Sequence, residues 1–240
     1  MLLILVCLTL AVRGIAQSAW SVSGGVDLQS RYVWRGQPLG GNAPCIEPGV
    51  AVSWRGLSLG VWGAYGFALN EYQEFDWTLG YTFGDDLITI QVTDYSFPTL
   101  HTDYHYFDYH ANTTDHVLEA GLIFNVPKTN LSLSAYTNFF GNDARKDNGK
   151  LVYSTYVEAS YTQPIKKIDT DLSFALGAAV NGKGDATFYG NDGFDIVNIS
   201  AEIRHAFPLG QRFEIPLYLQ LIANPTANKM YAVVGCAITF

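Results

Sequence analysis

The stretch KMYAVVGCAITF, Lys229 to Phe240, alternates strictly. Phe240, Ile238, Cys236, Val234, Ala232 and Met230 form an apolar set, and Thr239, Ala237, Gly235, Val233, Tyr231 and Lys229 interleave with it. Period two of this kind predicts a β-strand with one oily face. The polar, frayed tail of a soluble domain reads differently, so the question for the fold is what that face meets.

Working outward, the same alternation recurs. Trp20 to Trp34 gives a first strand with Ser21, Ser23, Gly25, Asp27, Gln29, Arg31, Val33 and Arg35 on its second, polar face. Further segments lie around Ile46–Trp54, Leu57–Tyr65, Phe75–Phe83, Ile88–Val92, Leu118–Phe124, Leu131–Phe139, Leu151–Tyr161, Leu172–Val180, Val197–Ile203 and Phe213–Leu221, making twelve with the last. No segment sustains a helical period.

Alternation alone also suits a soluble sandwich, and three features separate the two. Connections are short after Trp54, Phe83, Val126, Gln163 and Phe207 and mostly longer between, the rhythm of periplasmic turns and outer loops. Aromatics on the oily face collect at both strand ends. Tyr32, Trp34, Tyr65, Phe75, Trp77, Phe139 and Tyr153 make an outer group; Trp20, Trp54, Tyr81, Phe83, Phe124, Tyr161, Phe213 and Phe240 make an inner one, as headgroup girdles require. Charged strand residues fall almost wholly on the other face, with Asp94 and His205 as exceptions near strand ends. A lipid-facing charge costs about 2 to 4 kcal/mol at midplane, so the oily face is expected to meet lipid. The predicted fold is an all-β, transmembrane, antiparallel up-and-down barrel of about twelve strands.

Composition agrees. Of 240 residues 15% are charged and 14% aromatic, which suits sheets. A net charge of -8 leaves no basic stripe for a nucleic-acid partner. Residues 1–16 read as a cleaved export signal, with Gly14 and Ala16 before Gln17, although no Lys or Arg precedes the apolar core. A membrane anchor is the rival, but the run is short for a span. Residues 17–240 then form the barrel, exported to the bacterial outer membrane. Cys45 and Cys236 remain in the mature chain and are expected to stay unpaired, because the strand layout sets them at different heights.

SRYVWRG at Ser30–Gly36, YSFP at Tyr95–Pro98, HVLEAGLIF at His116–Phe124, YSTYVEASY at Tyr153–Tyr161 and the closing IPLYLQLIANPTANKMYAVVGCAITF resemble an uncharacterised family of Gram-negative outer-membrane β-barrels similar to the TorF-type porins. The resemblance implies the fold and carries no ligand residues with it. Phe240 also resembles a sorting signal for the barrel-assembly machinery, which together with outer-membrane lipid makes the expected partners.

The interior charges define the candidate site. Asp27, Glu47, Glu74, Asp76, Glu119, Glu158, Asp171, Glu202 and Glu214 are expected to line the lumen with Arg31, Arg35, Arg204 and Arg212. Arg31 and Arg35 are placed near the outer mouth beside Glu47, and Glu202 and Arg204 beside Arg212 and Glu214 near the inner one. Small inward residues such as Gly25, Gly49, Gly121, Gly177 and Gly235 leave room; Trp62, Tyr136, Tyr156, Tyr218 and Tyr231 take some back.

Phe97 to His116 holds His101, His105, His110 and His116, which carry ligand chemistry. Their irregular spacing matches no metal template, so a polar, aromatic outer loop is the reading taken. No cofactor, metal or catalytic residue is assigned, and no nucleophile elbow occurs. The leading function is a passive, porin-like channel for small hydrophilic solutes with mild cation preference. The alternative is a closed structural or binding barrel that uses its outer loops.

Overall fold

The computed structural model describes residues 19–68, 72–98, 104–209 and 213–239. Twelve strands run in chain order: β1 (Trp20–Gln29), β2 (Cys45–Trp54), β3 (Leu57–Gly66), β4 (Gln73–Phe83), β5 (Ile88–Ser96), β6 (Val117–Asn125), β7 (Leu131–Gly141), β8 (Thr155–Ile165), β9 (Thr170–Val180), β10 (Phe194–Leu209), β11 (Phe213–Asn224) and β12 (Lys229–Thr239). Each pairs antiparallel with its sequence neighbours, and β1 pairs with β12, so the sheet closes. Closure leaves no unpaired edge, and it excludes the sandwich that alternation alone allows.

The apolar set points outward. Leu59, Leu79, Leu122, Leu176, Leu221 and Val234 are all exposed on the outer wall. Trp20, Trp54, Tyr81, Phe83 and Tyr161 lie exposed at one rim, and Tyr65, Trp77, Phe139 and Phe194 at the other. An exterior of this kind is stable in hydrocarbon flanked by headgroups. At the rim where β1 starts and β12 ends, the connections among the described residues are tight. At the first, Arg55 and Gly56 both adopt positive φ (48° and 89°), which closes a two-residue hairpin. The opposite rim carries L1 (30–44), the described parts of L2 (67–68 and 72) and L3 (97–98 and 104–116), L4 (142–154), L5 (181–193) and the short L6 (225–228).

The strands depart from the sequence reading in several places. The first strand ends at Gln29, not Trp34, and the chain then turns into the barrel. Tyr32 is therefore buried and Trp34 half-buried, not part of the outer girdle. The eighth strand starts at Thr155: Leu151 bridges Arg145 within L4, while Tyr153 sits exposed at φ 58° just before the strand. Finally, a bulge between Ile196 and Asn198 turns Val197 from the outer face to a fully buried position.

Register also revises the cysteine geometry. Cys45 lies opposite Gln29 and Cys236 opposite Leu28, so strand tilt brings both beside the outer end of β1. Height does not separate them. One intervening strand and opposite faces do: Cys45 is buried in the lumen, whereas Cys236 shares the outward parity of Val234 and Ile238. Both are free thiols.

Candidate functional site

L1 is the feature that the strand pattern hid. Ser30 still pairs with Val234, its N–H donating to the carbonyl at 2.9 Å. Beyond it, Trp34 and Gln37 exchange backbone hydrogen bonds of 2.8 Å in each direction around Arg35 and Gly36, at φ 48° and 78°. This is a two-residue turn with both central residues left-handed. Gly36 suits it; a Cβ there would fall 1.9 Å from the Val197 carbonyl oxygen. Arg35 does not, and its backbone carries a cost of roughly 1 to 3 kcal/mol that its side chain must offset. The Asn224 amide donates to the Gly36 carbonyl at 3.1 Å, so the tip is pinned to β10 and β11.

From that tip the Arg35 side chain reaches across the lumen to β6. Its guanidinium meets Glu119 as a fork, Nη1 to Oε2 at 2.5 Å and Nη2 to Oε1 at 2.9 Å. Nη1 also donates to the Tyr189 hydroxyl at 2.7 Å, and Tyr95 donates to Glu119 Oε1 at 2.9 Å. Three rings face the cation, with Cζ 4.2 Å from the centroid of Tyr136, 4.3 Å from Trp34 and 4.7 Å from Tyr156. The side chains of Arg35 and Glu119 are 10% and 1% exposed. Planar, bidentate and stacked recognition is what guanidinium does and ammonium does not. The sequence reading put Arg35 inside but paired it with Glu47, because it took Arg35 as a strand residue.

Glu47 is held otherwise. The Gln29 amide donates to its Oε1, Cys45 Sγ lies 3.4 Å from the same oxygen, and Tyr218 donates to Gln29 at 3.0 Å. Beside it, Tyr32 packs on Trp62 and Tyr72, and Tyr72 donates to Glu74 at 2.6 Å. Glu74 and Asp76 are 2% and 6% exposed, and neither has a cationic partner among the described residues. Asp76 Oδ1 accepts from no donor among the described residues. Burying ionised carboxyl groups without a cation is costly, which sets this corner of the lumen apart from the paired Arg35 and Glu119.

Elsewhere in the lumen the wall rings lie across the glycines. A Cβ on Gly177 would fall 1.9 Å from the Tyr156 hydroxyl and one on Gly235 2.3 Å from that of Tyr218. Those glycines therefore seat tyrosines and do not widen the bore, contrary to their reading as free space. Room survives on the β1 to β3 side, where a cavity of about 500 Å³ is bordered by Asp27, Glu47, Gly49, Ala51, Gly60 and Trp62 among others.

The remaining expected lumen residues scatter. Arg31 stands 5.8 Å from the Tyr231 ring. Glu158 accepts from Tyr156 and Asn198. Arg204 bonds Glu202 on its own strand at 3.0 Å, stacks on Tyr218 and lies opposite Asp171. Glu214 lies opposite Pro208, six residues along β10 from Glu202, so these two acids are not neighbours. Arg212 and Phe240 lie outside the described residues, as does His101.

L3 folds outside the mouth. His116 places Nδ1 2.7 Å from Asp94 and Nε2 2.7 Å from the Tyr106 carbonyl, and Tyr109 donates to Asp94 at 2.7 Å. Trp77 Nε1 donates to the Tyr106 hydroxyl at 2.8 Å. The loop thus covers the outward charge of Asp94, the exception in the strand pattern. Among the described residues no three His, Cys, Asp or Glu side chains converge as metal ligands.

A search of the curated proteins finds no match. Among solved structures the chain is similar to a KdgM porin, at 8% identity and a TM-score of 0.49 over 91% of this chain and 98% of that one. It is also similar to an outer-membrane channel of the COG4313 type from Pseudomonas putida F1, at 13% identity and a TM-score of 0.41 over 93% and 96%. Salmonella typhi OmpF in complex with daunomycin gives 7% and 0.40 over 92% and 97%. A family model described as a bacterial protein of unknown function matches residues 14–192, most of the chain, and on that match the protein belongs to the Gcw_chp family.

Proposed function

We propose that the protein is an outer-membrane channel for small hydrophilic solutes, mildly selective for cations, whose outer half is stoppered by L1. The observation that carries this reading is the nature of the obstruction. Wall side chains fill barrels of eight strands; here a loop enters the bore and is fastened by one forked ion pair. A closed structural barrel has no need of a detachable filling. No enzymatic step belongs to this reading. Residues 1–16 serve as an export signal and Phe240 as the signal to the barrel-assembly machinery.

Cation preference follows from counting what is left after internal pairing. Arg35 neutralises Glu119 and Arg204 neutralises Glu202; among the described residues this leaves Asp27, Glu47, Glu74, Asp76, Glu158, Asp171 and Glu214 without an arginine or lysine bonded to them, against Arg31. Salt screens such a field over roughly 8 Å at physiological ionic strength, so the bias is modest. Reversal potentials of the purified barrel in a KCl gradient test it. Cation selectivity that weakens in Glu74→Gln/Asp76→Asn is expected, and an anion-selective wild type contradicts it. The rival, a closed barrel meeting a partner through its loops, draws on Phe107, which is 89% exposed at the tip of L3, and predicts silent bilayers.

A further inference from the structure

We infer that the Arg35 cage is a binding site for a soluble guanidinium-bearing solute, which L1 occupies as a tethered competitor. The inference rests on the reading of L1 as a stopper and names the solute class for it.

The receptor belongs to the wall, not to the loop. Glu119, Tyr95, Tyr136 and Tyr156 come from β6, β5, β7 and β8, and Tyr189 from L5. Of the groups around the cation only Trp34 leaves with L1. What stays is a carboxylate at the end of a slot between tyrosine faces, with a hydroxyl to one side. That slot fits a flat, five-donor cation.

Opening has a consequence for Glu119. With its side chain 1% exposed, it loses its only cation among the described residues when Arg35 withdraws, and an unpaired buried carboxylate is strongly unfavourable. The open state is therefore populated when another cation replaces Arg35. A solute that binds only the open state draws the equilibrium toward it in proportion to its affinity. Approach is favourable, because Asp27 and Glu47 border the cavity and Glu74 is reached from Tyr32 of L1 through Tyr72.

The test uses the purified full-length barrel and methylguanidinium chloride, with tetramethylammonium chloride as the cation that cannot form the fork. By calorimetry Arg35→Ala binds methylguanidinium at millimolar concentration or below. Glu119→Gln in that background weakens binding at least tenfold, and tetramethylammonium binds at least tenfold more weakly. Arg35→Gln, which keeps the chain length, stands in should Arg35→Ala not fold. In bilayers methylguanidinium raises the open fraction of the wild type and tetramethylammonium does not. Failure of both folded Arg35 variants to bind, or binding indifferent to Glu119→Gln, overturns the site. An Arg35→Ala barrel that binds methylguanidinium yet conducts no more than wild type upholds the site and overturns the stopper; one that conducts more and does not bind does the reverse.

Discussion

Arg35 and Glu119 stand 84 positions apart in the chain, yet form the shortest interior ion pair among the described residues, Nη1 to Oε2 at 2.5 Å. One partner sits on a loop and the other on the wall, so the bond converts a mobile type of element into part of the core. Removing either partner leaves the other buried and unpaired, at about 3 to 5 kcal/mol. Glu119→Gln should therefore release L1 without opening the barrel. Hydrogen exchange of residues 30–44 is expected to rise at least tenfold while the amides of β1 to β12 stay protected. Unchanged exchange in L1 would show that the turn at Gly36 and its Asn224 contact hold the loop by themselves.

The cysteines should remain unpaired for a reason of face. Cys45 points into the lumen and Cys236 toward lipid on the far side of β1. A mass spectrum of the unreduced protein is expected to show both free thiols, with Cys45 resisting a water-soluble maleimide until the barrel is unfolded. A Cys45 to Cys236 peptide would contradict the register.

Orientation is set by the loops. A tag placed after Gly149, whose surroundings are open, should be reached by antibody on intact cells. One placed in the turn at 126–130 should need permeabilised membranes. Labelling in the opposite pattern would invert the barrel and every assignment of mouth and base.

The L3 turn should survive acid. Asp108 accepts from the Thr113 hydroxyl, the His110 amide and the His110 ring, and these bonds hold its carboxyl down at about 2. A lowered value means that the capped turn is favoured above the ordinary carboxylate range and lost only as pH falls through about 2. Carbon NMR titration of Asp108 is expected to place the midpoint there, and a midpoint near 4 would mean the turn is not formed in solution.

Much of the barrel was legible because lipid and lumen impose opposite chemistries on alternate residues, as in Leu57 to Tyr65 or Leu172 to Val180. L1 was not legible for the same reason. Ser30 to Arg35 continues the alternation, and a segment lying in the bore meets aromatic and polar partners like those a strand end meets at the rim. Only Arg35-Gly36 signals a turn, and weakly, since arginine is an unusual residue at positive φ. The Glu119 partner could not be read either, because pairing across a lumen depends on where a loop lands and not on strand neighbours. Tilt was the third hidden quantity. It moved Cys236 level with Cys45, and strand lengths alone do not reveal the shear of a closed sheet.

The stopper is tested most directly by single-channel recording of the wild type against Arg35→Ala, both shown to be folded barrels by heat-modifiable migration. The wild type is expected to dwell mostly in a closed or low-conductance state. Arg35→Ala should show a larger, more persistently open, cation-selective conductance. Equal conductance of the two, whether both open or both silent, would contradict a channel governed by L1.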